Sequence, residues 1–163
     1  MVYVHILGHI LKYWVWYNYY KRSLYYMYNL DRFIKAQEYD YSIALKELSN
    51  GRKESHYIWY IFPQLKGLGY SSYSKYYGLS GLEEAKAYYN HEVLGKRLLE
   101  LCKVLLSLEE TDITQIMGYP DDLKLRSSMT IFYLATQDKV FKDVIDKYYN
   151  GEFCVRTAEL TKE

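Results

Sequence analysis

The chain has 163 residues, half of them hydrophobic and a quarter charged, so it can close one core of its own. That composition excludes collagen, low-complexity disorder and disulfide-rich scaffolds. A formal charge of +1 offers no electrostatic case for binding nucleic acid.

The first 28 residues hold eight tyrosines and two tryptophans (Trp14, Trp16), and no acidic residue precedes Asp31. A membrane-spanning helix needs about 20 consecutive apolar residues. His5, His9, Lys12 and Asn18 interrupt the run, so no transmembrane helix is expected. A signal peptide lacks its leading basic region and its small-residue cleavage site. Aromatic rings with scattered cations would suit an interfacial anchor. The favoured reading is different. Met27 opens the string Met-Tyr-Asn-Leu-Asp-Arg-Phe, which reads as the start of a domain. The residues before it are rich in Tyr, Ile, Lys and Asn, the amino acids of AT-rich codons. Residues 1–26 are therefore expected to be an over-extended start or a dispensable arm, and residues 27–163 the domain.

From there the chain reads as helices punctuated by glycine. Leu30, Phe33, Ile34, Gln37, Tyr41, Ala44, Leu45 and Leu48 recur at helical spacing, with Asn29 expected as N-cap and Asn50-Gly51 as stop. Ser55–Phe62, halted by Pro63, is expected to form a buried helical turn or two. Residues 64–79 read as loop around Gly67, Gly69 and Gly78, with a short helix at 71–77. Ser80-Gly-Leu-Glu83 reads as a capping box that opens a helix through Tyr89. Leu94, Arg97, Leu98, Leu101, Cys102, Leu105 and Leu108 mark the clearest amphipathic helix. Asp112 is expected to cap a short helix ending at Gly118. Another should run from Pro120 to about Ala135, and Asp138 should cap one ending at Gly151. A last short helix is expected at 156–162. Alternating strand patterns and internal repeats are absent. The expected fold is all-α: one compact domain of six to eight helices with an N-terminal extension.

Cys102 lies on an apolar helical face, and neither it nor Cys154 has a CxxC partner or a His/Cys cluster. No metal and no cofactor are expected. The cysteine usage fits a reducing cytoplasm.

Five blocks resemble one family. They are Phe33-Ile-Lys-Ala-Gln37; Gly51-Arg-Lys-Glu-Ser-His-Tyr-Ile-Trp-Tyr-Ile-Phe-Pro-Gln64; Gly67-Leu-Gly69 with Ser71 or Ser72 following; His91-Glu-Val-Leu-Gly95; and Asp121-Asp-Leu-Lys-Leu-Arg-Ser-Ser-Met-Thr-Ile-Phe132. In order and at matching spacing over about residues 29–151, they are similar to the uncharacterised bacterial family known as domain of unknown function 1810 (DUF1810). The sequence departs from the usual pattern at Tyr57 and Tyr60, where Trp or Phe is frequent, and at Glu92, where proline is usual. The resemblance implies a mainly helical fold and brings no established activity with it.

Two stretches carry polar residues that packing alone does not require. In the first, His56 is a candidate catalytic acid or base, and Trp59, one turn on, a wall for a base or sugar ring. Gln64 follows the proline. In the second, Lys124, Ser127 and Ser128 lie along one helix side and suit a phosphate or carboxylate. Gln37, polar on an apolar stripe, either braces the fold or joins the same cleft. Gly67–Ser72 lacks the pattern and the preceding strand of a phosphate loop. The adjacent acidic pairs diverge on a helix and read as solvated faces or caps. The expected function is binding or processing of a nucleotide-like or other anionic small molecule in a cleft between segments 55–72 and 122–128. The alternative is a non-catalytic protein–protein interaction module. Convergence of His56, Gln64 and Lys124 on one hollow would separate the two.

Overall fold

Amphipathic spacing becomes helix along most of the chain. A computed structural model describes residues 11, 12, 14–20, 23 and 27–162. His5 and His9 lie outside the described residues, as does most of the expected arm. Residues 11, 12 and 14–20 are helical and exposed. From Asp31 onward the described residues form nine helices: α1 (Asp31–Ser49), α2 (Ile58–Ile61), α3 (Ser72–Tyr77), α4 (Leu82–Asn90), α5 (Leu94–Ser107), α6 (Ile113–Met117), α7 (Asp121–Thr136), α8 (Lys139–Tyr149) and α9 (Val155–Leu160). The all-α class is as expected. The number exceeds six to eight because several helices span only a turn or so. Among the described residues there is no strand, only an isolated parallel bridge between Leu65 and Leu79. No described helix is long and apolar enough to cross a membrane.

Helix α7 is the hub. It packs against α4 and α8, and touches α2, α6 and α9. Leu125, Ser128, Met129, Thr130, Ile131 and Phe132 are all fully buried, so it is enclosed on most sides. Hydroxyls make this tolerable. Thr130 Oγ1 donates to the Arg126 carbonyl at 2.8 Å, so its polarity is met inside the helix. An aromatic chain runs through the core. Phe33 meets Tyr88 edge-on at 5.0 Å between centroids, Tyr88 meets Phe132 at 5.4 Å, and Phe132 stacks on Phe141 at 5.5 Å. Such pairs add to the apolar area they bury.

Two expected caps are realised. Asp112 accepts from Thr114 N at 2.9 Å, and Asp138 from Val140 N at 3.0 Å. Two are not. Asn29 takes a left-handed backbone (φ 48°), and Leu30 occupies the N-cap position without a side-chain cap. The Ser80–Glu83 box is displaced by one residue: Glu84, not Glu83, reaches back to Ser80 N at 2.8 Å. The reason is tertiary. Glu84 is held inside by Arg32, 2.5 Å away, with side chains 8% (Arg32) and 4% (Glu84) exposed. Glu83 faces solvent and pairs with Lys86. Glu84 is thus neither a solvated face nor part of an acid/base pair.

Lys147 closes the end of α5. Its ammonium donates to the carbonyls of Leu105, Leu106 and Leu108 at 3.1, 3.0 and 2.5 Å, where a cation complements the helix dipole.

Candidate functional site: a hollow between two distant stretches

Pro63 ends α2 and turns the chain so that Gln64 leaves the core. The bridge then pins the next stretch: Leu79 N donates to Gln64 O at 2.9 Å, and Lys66 N to Leu79 O at 2.8 Å. Gly78 permits this crossing, since a Cβ there would stand 2.7 Å from Ser74 O and 2.9 Å from Lys66 Cα. The closed loop carries α3, whose N-cap Ser71 accepts from Ser74 N at 3.1 Å.

This loop forms one wall of a hollow of about 470 Å³, and the first turns of α7 form the other. Trp59, Gln64, Lys124 and Ser127 all border it. Four of the seven residues expected from sequence therefore converge. The other three do not. His56 is exposed and is not among the residues that border the hollow. Gln37 is a brace: its amide donates to Tyr60 O at 2.7 Å and Tyr88 Oη at 2.8 Å, and its carbonyl accepts from Arg97 at 3.3 Å. Ser128 is fully buried on the core side of α7, with an unpartnered hydroxyl. One helical residue separates Ser127 from Ser128 by about 100°, so they cannot serve one cleft together.

The charges are arranged in relay. Asp121 takes Lys124 at 2.8 Å with one oxygen and Lys53 at 2.6 Å with the other. One carboxylate thus answers two ammonium groups. Lys124 also sits 4.9 Å over the Trp59 ring, which meets Tyr73 at 5.1 Å. Trp59 is therefore a wall that holds a cation and not an open stacking platform. Asp122 diverges from Asp121 as expected, but it is buried rather than solvated. One oxygen accepts from Thr114 Oγ1 at 3.1 Å and the other has no partner.

Among the bordering residues not foreseen are Cys154 and Arg156, from the stretch that enters α9. Nothing local marks them, because that stretch reaches the site only by packing α9 on α7. Cys154 N donates to Thr130 Oγ1 at 2.9 Å, which fixes the thiol beside Ser127. The Arg156 guanidinium has no ion pair among the described residues. Gln64 is 8% exposed, and its side-chain amide has no hydrogen-bond partner among them either. No carboxylate among the described residues borders the hollow. Among the described residues, no group of three or more His, Cys, Asp or Glu is placed to hold a metal ion.

The model of the family described as "Protein of unknown function (DUF1810)" matches residues 27–161. The chain belongs to the DUF1810 family. A similar solved structure is that of the conserved hypothetical protein Rv1873 from Mycobacterium tuberculosis. It is 44% identical, with a TM-score of 0.82, over 83% of this chain and 98% of that one. No curated protein matches the chain.

Proposed function

We propose that this DUF1810 protein binds a small anionic molecule, nucleotide-like or of similar charge, in the hollow between the Gln64–Ser74 loop and α7. The observation that carries this reading is Gln64. It is 8% exposed and its side chain has no protein partner among the described residues, so only solvent in the hollow or a bound group can satisfy it. Here it borders the hollow together with Lys124 and the unpaired Arg156, with no carboxylate on the wall. An anion would accept from the amide and meet the unpaired Arg156 charge, with Lys124, already shared with Asp121, beside it. Ser71 and Ser127 add hydroxyls, and Trp59 holds Lys124 in place. His56 has no part in this reading.

The test is thermal stabilisation of the full chain by inorganic phosphate and by a nucleoside monophosphate. A ligand that binds only the folded state raises the melting temperature by mass action. The rise should be lost in Lys124→Met and in Arg156→Ala. No rise with either anion, or an unchanged rise in both variants, sinks the proposal.

A second reading, an interaction module, draws on a different observation. Tyr70, 83% exposed, stands beside exposed Tyr73 and Tyr76 on and before α3, and exposed aromatic side chains are favoured at interfaces. Partner capture that is lost in Tyr76→Ser but kept in Lys124→Met would favour it.

A further inference from the structure

We propose that Cys154 is a reactive thiol within this hollow and exchanges with a small anionic disulfide to form a mixed disulfide. The inference rests on the reading of the hollow as an anion site and names a substrate class for it.

The two cysteines of the chain stand in opposite environments. Cys102 is fully buried in the core with its sulfur 3.6 Å from Met129 Sδ, and burial pushes its thiol far up. Cys154 is half-buried and borders the hollow. Ser127 Oγ stands 3.3 Å from its sulfur and 3.1 Å from the Leu123 carbonyl. One hydroxyl proton can serve either. While the sulfur is protonated, Ser127 donates to Leu123 and accepts from the thiol. When the sulfur is ionised, the hydroxyl turns to it. The Thr157 hydroxyl, fully buried and without a hydrogen-bond partner, lies near the same sulfur. Burial alone would raise this thiol. The Ser127 hydroxyl, the nearby Thr157 side chain and backbone, and the Arg126 charge outweigh burial and bring it below the ordinary thiol value. A thiol that ionises more readily than usual better supplies the thiolate such exchange needs.

The second observation is Gln64 on the same wall, 8% exposed, with no protein partner for its side chain among the described residues and open only to the hollow. It gives a bound group something to accept from, and Arg156 gives it a charge to meet. No histidine of the described residues borders the hollow, so acyl transfer finds no general base among them. Disulfide exchange needs none. The Cys154 thiolate attacks one sulfur of the small disulfide, a new S–S bond forms and the old one breaks. The leaving thiolate carries off the electron pair and takes a proton from water. Cys154 is oxidised and half of the disulfide is reduced. Cys102, sealed in the core, cannot resolve the product.

The experiment incubates the reduced full chain with glutathione disulfide, which is anionic, or with cystamine, which is cationic, at low ionic strength. Intact mass follows the adduct, and peptide mapping locates it. The expected result is one adduct, on Cys154, with Cys102 untouched. The ratio of the glutathione disulfide rate to the cystamine rate should fall roughly tenfold in Arg156→Ala. Inorganic phosphate should slow the glutathione reaction. Mapping on the unsubstituted chain carries the result even where Cys154→Ser fails to fold. An unreactive Cys154 in a chain that phosphate still stabilises overturns this inference alone. A Cys154 that reacts with both disulfides, in ratios that neither Arg156→Ala nor phosphate changes, overturns the anionic substrate and the anion site with it.

Discussion

Lys124 Nζ lies 4.9 Å above the Trp59 ring and 2.8 Å from Asp121 Oδ1, so a side chain from α7 is clamped against one from α2, 65 residues earlier. The clamp orients the ammonium at the edge of the hollow. Lys124→Met keeps the apolar stem and removes the charge. The contact is partly exposed, so the melting temperature should fall by the equivalent of only about 0.5–1 kcal/mol. Trp59→Ala removes the wall as well and should cost more, roughly 2–4 kcal/mol. Chemical denaturation of the two variants measures the difference. An equal loss in both would mean that the ring contributes nothing beyond holding the cation.

Arg32 and Glu84 bind α1 to α4 from nearly buried positions. Arg32 also donates to the Asn29 and Tyr76 carbonyls at 3.0 Å each, and Glu84 accepts from Ser80 N. Removing one partner strands the other charge in a low dielectric. Glu84→Ala is expected to cost about 3–5 kcal/mol. Arg32→Met combined with Glu84→Leu should recover part of it, because no unpaired charge remains. Equilibrium unfolding of the two single variants and the double variant gives the coupling directly.

Gly95, in the first turn of α5, faces the end of α4. A Cβ on it would stand 1.8 Å from Tyr89 O, a backbone atom that cannot step aside. Gly95→Ala should therefore destabilise by about 1–3 kcal/mol or more, although alanine is the better helix former. Gly81→Ala, with open space at its Cβ, is the comparison. Urea melts of the two variants should separate them clearly.

The pH dependence of stability should carry a signature of Glu47. Burial pushes its carboxyl up, but hydrogen bonds from the Ser55 hydroxyl and from the Ser55 and Glu54 backbone outweigh that, and it ionises below the ordinary carboxylate value. A carboxyl whose folded value lies below its unfolded one stabilises the fold above the unfolded value. It loses that stabilisation as pH falls through the folded value. The stability difference between the unsubstituted chain and Glu47→Gln should thus be present at neutral pH and shrink below about pH 4. A difference that stays constant from pH 7 to pH 3 would remove Glu47 from the list of groups that set acid sensitivity.

A chain beginning at Met27 is expected to keep the melting temperature and helical signal of the full chain. Among the described residues the buried core begins at Leu30, and residues 11, 12 and 14–20 are exposed. Circular dichroism of the two chains tests it. A chain from Met27 that fails to fold would make the extension structural.

The helices were legible because their cause is local. Leucines at three and four residues in 94–108, and aspartates before 113 and 139, act on their own turns of backbone wherever the rest of the chain lies. The convergence of Trp59, Gln64, Lys124 and Ser127 was legible in outline, since polar groups stood where packing did not need them. Which polar groups joined was not. Ser127 and Ser128 differ by one step around a helix, and only the neighbours of α7 decide which of them faces the hollow. His56 was the first candidate and Gln37 a brace or a cleft residue; the first ends exposed, and the second braces Tyr60, Tyr88 and Arg97. Glu84 displaced Glu83 because Arg32 waits 52 residues away. Cys154 and Arg156 were silent for the same reason. Periodicity and capping act over one turn, whereas burial, charge pairing and the walls of a hollow depend on residues that only folding brings within a few ångströms.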